Sequence, residues 1–298
     1  MKGNSVKQLK KKAFILLQRL LPQHALMAVV GRIASIRART IKDFLITTFV
    51  RAYDVDVSAA AREVPGGFVD FNDFFTRELA PDARPIDALP DSIVSPVDGT
   101  VSEAGRIDGA RLLQAKGIDY TLQDLLATDL AEAALFENGS FATLYLAPYN
   151  YHRVHCPLSG ELTAARYVPG HLYSVNSTTV ELLPRLFTRN ERLVCHFRTV
   201  AGPMAVVFVG ALNVGSVSTP WTGRIRARKK GVVDELALDG SRTSVHVDKG
   251  QMIGWFNMGS TVIVLLPPGS CEWREGLANG TRLRMGEVIG KIARHEEG

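Results

Sequence analysis

Two short stretches carry residue types at spacings that can do chemistry. Tyr151-His152-Arg153-Val154-His155-Cys156-Pro157 sets two histidines three residues apart, beside an arginine. On a helix they would share a face, but Pro148 and Pro157 bracket the stretch and favour an extended or turn conformation. A metal site would need a third ligand, and no HExxH pattern or nearby carboxylate supplies one, so no metal is expected. Acid–base work is the stronger functional reading, because imidazole titrates near neutrality. The second stretch is Gly254-Trp255-Phe256-Asn257-Met258-Gly259-Ser260-Thr261, which runs into apolar Val262–Leu266. It lacks the spacing of a nucleophile elbow, so ordinary acyl-enzyme hydrolysis is not indicated. Gly-Ser at the mouth of a strand is often only a turn, yet this bond permits another reaction. With no side chain on Gly259, its carbonyl is open to the Ser260 hydroxyl, and attack moves the acyl group from nitrogen to oxygen. The step needs a base, and a histidine held by a carboxylate is the usual device. Asp98, in Ser95-Pro96-Val97-Asp98-Gly99, reads by itself as a tight turn.

Such residues need a scaffold. After about residue 60 the chain is dominated by short β-type runs punctuated by Gly and Pro: 92–94, 141–146, 160–168, 193–200, 205–212, 223–226, 261–266 and 288–292. Helical patterns there are few, at 71–79, 122–125 and 177–183. The expected fold is α+β, a mainly antiparallel β-sandwich or barrel core with helical decoration. Ahead of it, Val6, Leu9, Ala13, Leu16, Leu17, Leu20 and Leu21 follow a helical 3-4 spacing, with Lys7, Lys10, Lys11 and Gln18 on other faces and Pro22 closing the run. Two more helices are expected from about His24 to Arg39 and from about Ile41 to Tyr53.

The whole chain of 298 residues has a net charge of +5, but residues 1–42 hold six Lys, four Arg and no acid. That segment is +10, which leaves −5 for the rest. A basic amphipathic helix too short to span a bilayer suits an anionic membrane surface. Nucleic acid is not expected, since Phe14 is the only aromatic before Phe44 and offers no stacking platform. With 46% hydrophobic residues the composition excludes a disordered chain, and three scattered cysteines exclude a disulfide scaffold and suit a reducing compartment. A cleavable signal peptide is disfavoured, because Gln18 and Arg19 interrupt the N-terminal apolar run.

Several motifs in order now carry a resemblance. They are Phe74-Phe75-Thr76-Arg77-Glu78-Leu79 with Arg84-Pro85-Ile86; Ser95-Pro96-Val97-Asp98-Gly99; Tyr151 to Pro157; Tyr167-Val168-Pro169-Gly170 with Tyr173-Ser174-Val175-Asn176; Phe187 to Arg192; and Met258-Gly259-Ser260-Thr261. Together they resemble phosphatidylserine decarboxylase, in its bacterial, membrane-associated, pyruvoyl-dependent form, from about residue 10 to residue 292. Met258 departs from the Leu usual in that family, a near-isosteric change.

The resemblance implies a self-processing carboxy-lyase of phospholipid biosynthesis. Asp98, His155 and Ser260 would form a self-cleavage triad, with Asp98 orienting His155 and His155 taking the Ser260 proton. Cleavage between Gly259 and Ser260 would give a β chain, residues 1–259, and an α chain, residues 260–298, the latter bearing a covalent pyruvoyl group made from Ser260. That group would form a Schiff base with phosphatidylserine and act as electron sink for loss of CO2, yielding phosphatidylethanolamine. His152 would handle the substrate carboxylate or reprotonate the α-carbon. Arg153 is a candidate carboxylate clamp, or equally the partner of a structural acid. His171, His196, His246 and His295 match no catalytic motif. The expected organisation is a basic helical membrane-association region at 1–60 and a catalytic domain at 61–298, peripheral to the cytoplasmic side of the cell membrane, with a homodimer as a family-level expectation. Three rivals remain: a soluble pyruvoyl decarboxylase of free amino acids, a zinc metallopeptidase using His152 and His155, and a non-catalytic lipid-binding scaffold.

Overall fold

The computed structural model describes residues 2–115, 117–212, 216–238, 244–257 and 260–293. Met258, Gly259 and His295 lie outside them. Four helices come first: α1 (Lys2–Leu20), α2 (Gln23–Ala34), α3 (Arg39–Tyr53) and α4 (Phe71–Phe75). The body is built around one large antiparallel sheet. Its strands run in the spatial order Asp234–Glu235, Gly160–Val168, Arg192–Thr199, Gly202–Val209, Ser260–Leu266, Ser140–Leu146, Gly99–Arg106 and Arg282–Leu283, and Val245–Val247 also pairs with Gly160–Val168. Smaller sheets of two to four strands flank it. The α+β expectation holds, and of its sandwich-or-barrel alternatives no closed barrel forms among the described strands.

Strand Ser260–Leu266 is the keystone. It is buried along its whole length and pairs on both sides, with Ala205–Val209 and with Ser140–Leu146. A strand hidden on both faces reads as a continuous apolar run, as Val262–Leu266 does. Val288–Ile292 pairs separately, with Ser92–Val94 and Cys271–Trp273. The segment after residue 260 is therefore tied into the body by ladders and core packing, not by its peptide link to residue 259 alone.

Two helices are shorter than the sequence pattern suggests. The second ends at Ala34 rather than Arg39: the Ser35 hydroxyl bonds back to the Gly31 carbonyl at 2.8 Å, and the chain turns before α3 starts at Arg39. Helix α4 stops at Phe75 rather than Leu79, because Thr76 bonds back to Asn72 and Leu79 bridges to Ala60. A small aromatic core joins α3 to α4, with Phe68, Phe71, Phe74 and Phe75 buried against Ile46 and Phe49.

Helix α1 inverts the simple amphipathic picture. Among its described side chains, from Gln8 to Leu20, the buried ones are Ile15 and the polar Gln18, whose Oε1 accepts from the Ser174 amide at 2.7 Å and whose Nε2 donates to Thr179 at 3.3 Å. Gln23, at the start of α2, accepts from the Leu172 amide. The leucines Leu9, Leu16, Leu17 and Leu20 face outward, as do Leu26, Val29 and Ile33 of α2 and Ile41 and Phe44 of α3. Among the described residues no single helix is long and apolar enough to cross a membrane; Gln8–Leu20 and Gln23–Ala34 meet the requirement only as a pair bent by 84°.

Candidate active site

Ser260 opens the central strand opposite Leu146 of the neighbouring one. Its Oγ is fully buried and has no hydrogen-bond partner among the described residues. A cavity of about 220 Å³ lies in front of it, lined by Phe49 and Tyr53 of α3, Phe75 of α4, Tyr145, Pro148, Val175, Asn176 and Leu212. An uncompensated buried hydroxyl is costly, and its retention marks a group kept for use.

The chain leaving Leu146 turns through Pro148 and enters the short strand Arg153–His155, so the extended reading of the histidine stretch holds. Alternation along that segment sends the two histidines to different surroundings. His152 is fully buried, with its ring stacked on Phe75 at 4.2 Å, its Nε2 3.4 Å from the Pro148 carbonyl and its Nδ1 unpartnered among the described residues. Burial, helped by the nearby Arg77 charge, lowers its pKa to about 3, so the ring is neutral. Phe75 and Pro148, which hold this ring, are also walls of the Ser260 cavity.

His155 is bonded at both nitrogens, with Nδ1 2.7 Å from the Gly250 carbonyl and Nε2 3.0 Å from the Tyr151 hydroxyl. The carbonyl can only accept, which assigns the proton to Nδ1 and leaves Nε2 as a base receiving the tyrosine O–H. Gly250 sits at φ +79°, and a Cβ there would run into Ile86, so this carbonyl is delivered by a turn that requires glycine. Burial lowers the His155 pKa, the Gly250 bond and the Asp98 charge opposing.

Asp98 lies close to His155 along the backbone, since the His155 amide donates to Pro96 at 2.9 Å. Its carboxylate is otherwise engaged: Arg84 donates from Nε at 2.8 Å and from Nη2 at 2.6 Å, and the Met285 amide adds a third bond at 2.9 Å. The structure thus brings Asp98 and His155 into one neighbourhood without a side-chain hydrogen bond between them, and it sets Ser260 in a separate cavity. Gly259, the other half of the expected cleavage site, lies outside the described residues.

Arg153 donates to the Thr76 carbonyl at 3.0 Å and to Glu78 at 2.9 Å, and lies over Trp255. Of its two open readings, pairing with an acid is the one realised. Sequence reasoning missed Tyr151, the direct partner of His155, and Arg77. Both sit inside motifs quoted for other residues; only the packed fold reveals what their side chains face. His171 stacks on Tyr173, His196 is buried beside Glu132, and His246 is exposed between Glu161 and Asp248.

Comparison with known proteins agrees with the motif pattern. A family model described as phosphatidylserine decarboxylase matches residues 71–291, and one described as PSD matches residues 13–54. The chain is 47% identical to the phosphatidylserine decarboxylase proenzyme of Azotobacter vinelandii over 96% of its length and all of that protein. It is 46% identical to the proenzyme of the same name from Pseudomonas putida, covering 94% of this chain and 98% of the relative. The proenzyme of that name from Bordetella pertussis is 46% identical, with 94% of each chain covered. On identity and coverage of this extent, the chain belongs to the phosphatidylserine decarboxylase family.

Proposed function

We propose that the chain is a phosphatidylserine decarboxylase, which cleaves itself between Gly259 and Ser260 and then converts phosphatidylserine to phosphatidylethanolamine. The observation that carries this reading is the buried Ser260 hydroxyl, without a hydrogen-bond partner among the described residues, at the head of a two-sided central strand and facing a cavity. In maturation, the Ser260 Oγ attacks the Gly259 carbonyl carbon as its proton passes to His155. The peptide nitrogen leaves as the amine of residue 260, and the resulting ester loses Gly259 as a carboxylate by β-elimination. Residue 260, then dehydroalanine, hydrolyses with loss of ammonia to a pyruvoyl group. For His155 to act, its Nε2 must exchange the Tyr151 hydroxyl for that of Ser260. The ladders of residues 260–266 and 288–292 hold the α chain on the β chain after the cut.

The donor set suits a pyruvoyl group, because Ser260 is its own precursor and the walls combine aromatic and aliphatic side chains with the polar Ser174 and Asn176. When present, that group supplies an electrophilic carbonyl and an electron sink for decarboxylation. The protein's share is orientation and exclusion of water by Phe49, Tyr53, Phe75 and Tyr145, and proton handling by the neutral His152, stacked on the wall residue Phe75.

The substrate is drawn from a membrane. Residues 1–60 serve as the association region and 61–298 as the catalytic domain. The outward leucines of α1 and α2 enter the acyl boundary and the basic residues lie among anionic head groups. Free cysteines at 156, 195 and 271 support a cytoplasmic-side, peripheral placement, and a homodimer is the expected assembly. Intact-mass measurement of purified protein tests the reading. Two chains divided at Gly259–Ser260, the smaller with a blocked N-terminus, together with CO2 release from phosphatidylserine, are expected. Active protein of a single 32.6 kDa chain overturns it.

A further inference from the structure

The fold contains two buried arginines of opposite kind. Arg192, 4% exposed, spends its guanidinium on the backbone carbonyls of Asp124, Leu125, Thr188 and Asn190, at 2.5 to 3.2 Å. That is how a structural arginine is satisfied. Arg77 is 3% exposed, yet its Nε and Nη1 have no hydrogen-bond partner among the described residues, and its Nη2 reaches only the Tyr149 carbonyl at 3.4 Å. It also lies over the face of Phe74, 5.2 Å from the ring centroid, and feels the charges of Asp98 and Asp56 without a hydrogen bond to either. Burying a cation without acceptors is costly. An arginine held this way is set up for an anion that arrives.

Its location says where the anion belongs. Arg77 follows Phe75 and Thr76 at the end of α4, and Phe75 is both a wall of the Ser260 cavity and the ring on which His152 stacks. The Arg77 charge reaches His152. Arg77 lines the larger neighbouring cavity, of about 470 Å³. The two cavities back onto consecutive residues: Tyr53 and Pro148 line the first, Asp54 and Tyr149 the second. The rest of the larger lining is mixed in sign: it holds Asp54, Asp56 and Glu287 with Arg282 and Arg284, together with Arg84 and Asp98, which are committed to each other. Such a lining suits a headgroup that carries an amine beside its anions.

We infer that Arg77 binds the phosphodiester of the phospholipid headgroup, fixing the substrate while its serine moiety reaches residue 260. The inference rests on the decarboxylase reading above. The substrate has two oxyanions, and energetics separates them. The carboxylate gives up its charge to the α-carbon as CO2 departs, so an ion pair there would stabilise the ground state and slow the reaction. The phosphodiester keeps its charge throughout, and a forked guanidinium on it contributes binding without opposing the chemistry.

The test uses the full-length, uncleavable Ser260→Ala chain and four soluble probes, followed by calorimetry. Glycerophosphoserine and glycerophosphoethanolamine are expected to bind comparably, L-serine and inorganic phosphate about tenfold or more weakly. Adding Arg77→Gln removes the binding of both diesters, and Arg77→Lys restores part of it. L-serine matching glycerophosphoserine would move Arg77 to the carboxylate, and inorganic phosphate matching the diesters would make this a free-phosphate site; either overturns the inference. Unchanged diester binding in Arg77→Gln does so too. In the matured enzyme Arg77→Gln raises KM for micellar phosphatidylserine about tenfold or more with kcat nearly kept; a fall in kcat at constant KM contradicts the assignment. Wild-type enzyme that releases no CO2 from phosphatidylserine sinks the decarboxylase reading itself, whatever Arg77 does.

Discussion

Arg84 grips both carboxylate oxygens of Asp98, at 2.8 and 2.6 Å, in a pair whose side chains are only 15% and 8% exposed. With the Met285 amide as third donor, both carboxylate oxygens are engaged in the uncleaved chain. Asp98 therefore ties the segment around Arg84 and the loop at Met285 to the body before it does anything for His155. Breaking one partner of a buried pair leaves an uncompensated charge and costs about 3–5 kcal/mol. In the Ser260→Ala background, Asp98→Asn and Arg84→Gln should each lower the unfolding midpoint by several degrees, and the double variant by less than the sum. Denaturation followed by circular dichroism reads this directly. Unaltered stability in Asp98→Asn would return the residue to a purely catalytic role.

The tautomer of His155 is fixed by the Gly250 carbonyl, and burial holds its pKa below the ordinary histidine value. Burial disfavours the charged ring, so the neutral base form persists to lower pH than for an exposed histidine. Self-cleavage of purified precursor should be flat through neutral pH and fall only on the acid side of the usual histidine range. His155→Ala and Ser260→Ala should not cleave at all. A processing rate that is halved near pH 7 would mean that the ring is not buried when it acts.

His152 has a different task, because its ring stacks on Phe75, a wall of the Ser260 cavity, whereas His155 lies beside Tyr151 and Gly250. His152→Ala should still give two chains on a denaturing gel, with decarboxylation reduced by about 10²–10⁴-fold. Since its pKa is lowered to about 3, its neutral form is constant from pH 5 to 9, and the acid limb of the decarboxylation profile should survive in the variant. A failure to cleave would erase the division of labour between the two histidines.

Much of this site was legible in the sequence because its signals are local. The Gly-Ser bond before an apolar strand and the paired histidines between prolines announce themselves by spacing. Strands 160–168 and 288–292 appear where the sequence pattern puts them, as does the burial of residues 262–266. Strand Gly99–Arg106 is missing from the β-type runs because Ser102, Glu103 and Gly105 break the apolar alternation after the turn at Asp98-Gly99; its outer half is only partly buried and carries a bulge after Val101. The Asp98 clamp and the empty-handed Arg77 depend on how separate segments pack, and the Tyr151–His155 bond, though only four residues apart, depends on the path the chain takes between them; no spacing rule encodes any of the three. Gln18 failed for a related reason. Its polarity argues for solvent, but two hydrogen-bond partners on another segment, Ser174 and Thr179, make its burial favourable.

That inversion on α1 separates two effects that deleting residues 2–42 would mix. Leu16 and Leu20 are 57% and 74% exposed, so replacing both with Gln removes apolar surface that folding never buried. Full burial of a leucine in an apolar phase is worth about 1.5–3 kcal/mol, so flotation with vesicles containing anionic lipid should weaken by tenfold or more. The unfolding free energy of the same variant should move by less than about 0.5 kcal/mol. Gln18→Ala should behave the other way, leaving the Ser174 amide unpaired and costing about 1–3 kcal/mol of stability with the leucine face intact. Raising salt should weaken vesicle binding of the wild-type chain by screening the +10 arm, and the two leucine changes should leave that salt dependence in place. Vesicle binding unchanged by the leucine pair would mean that the outward face of α1 packs against something other than lipid.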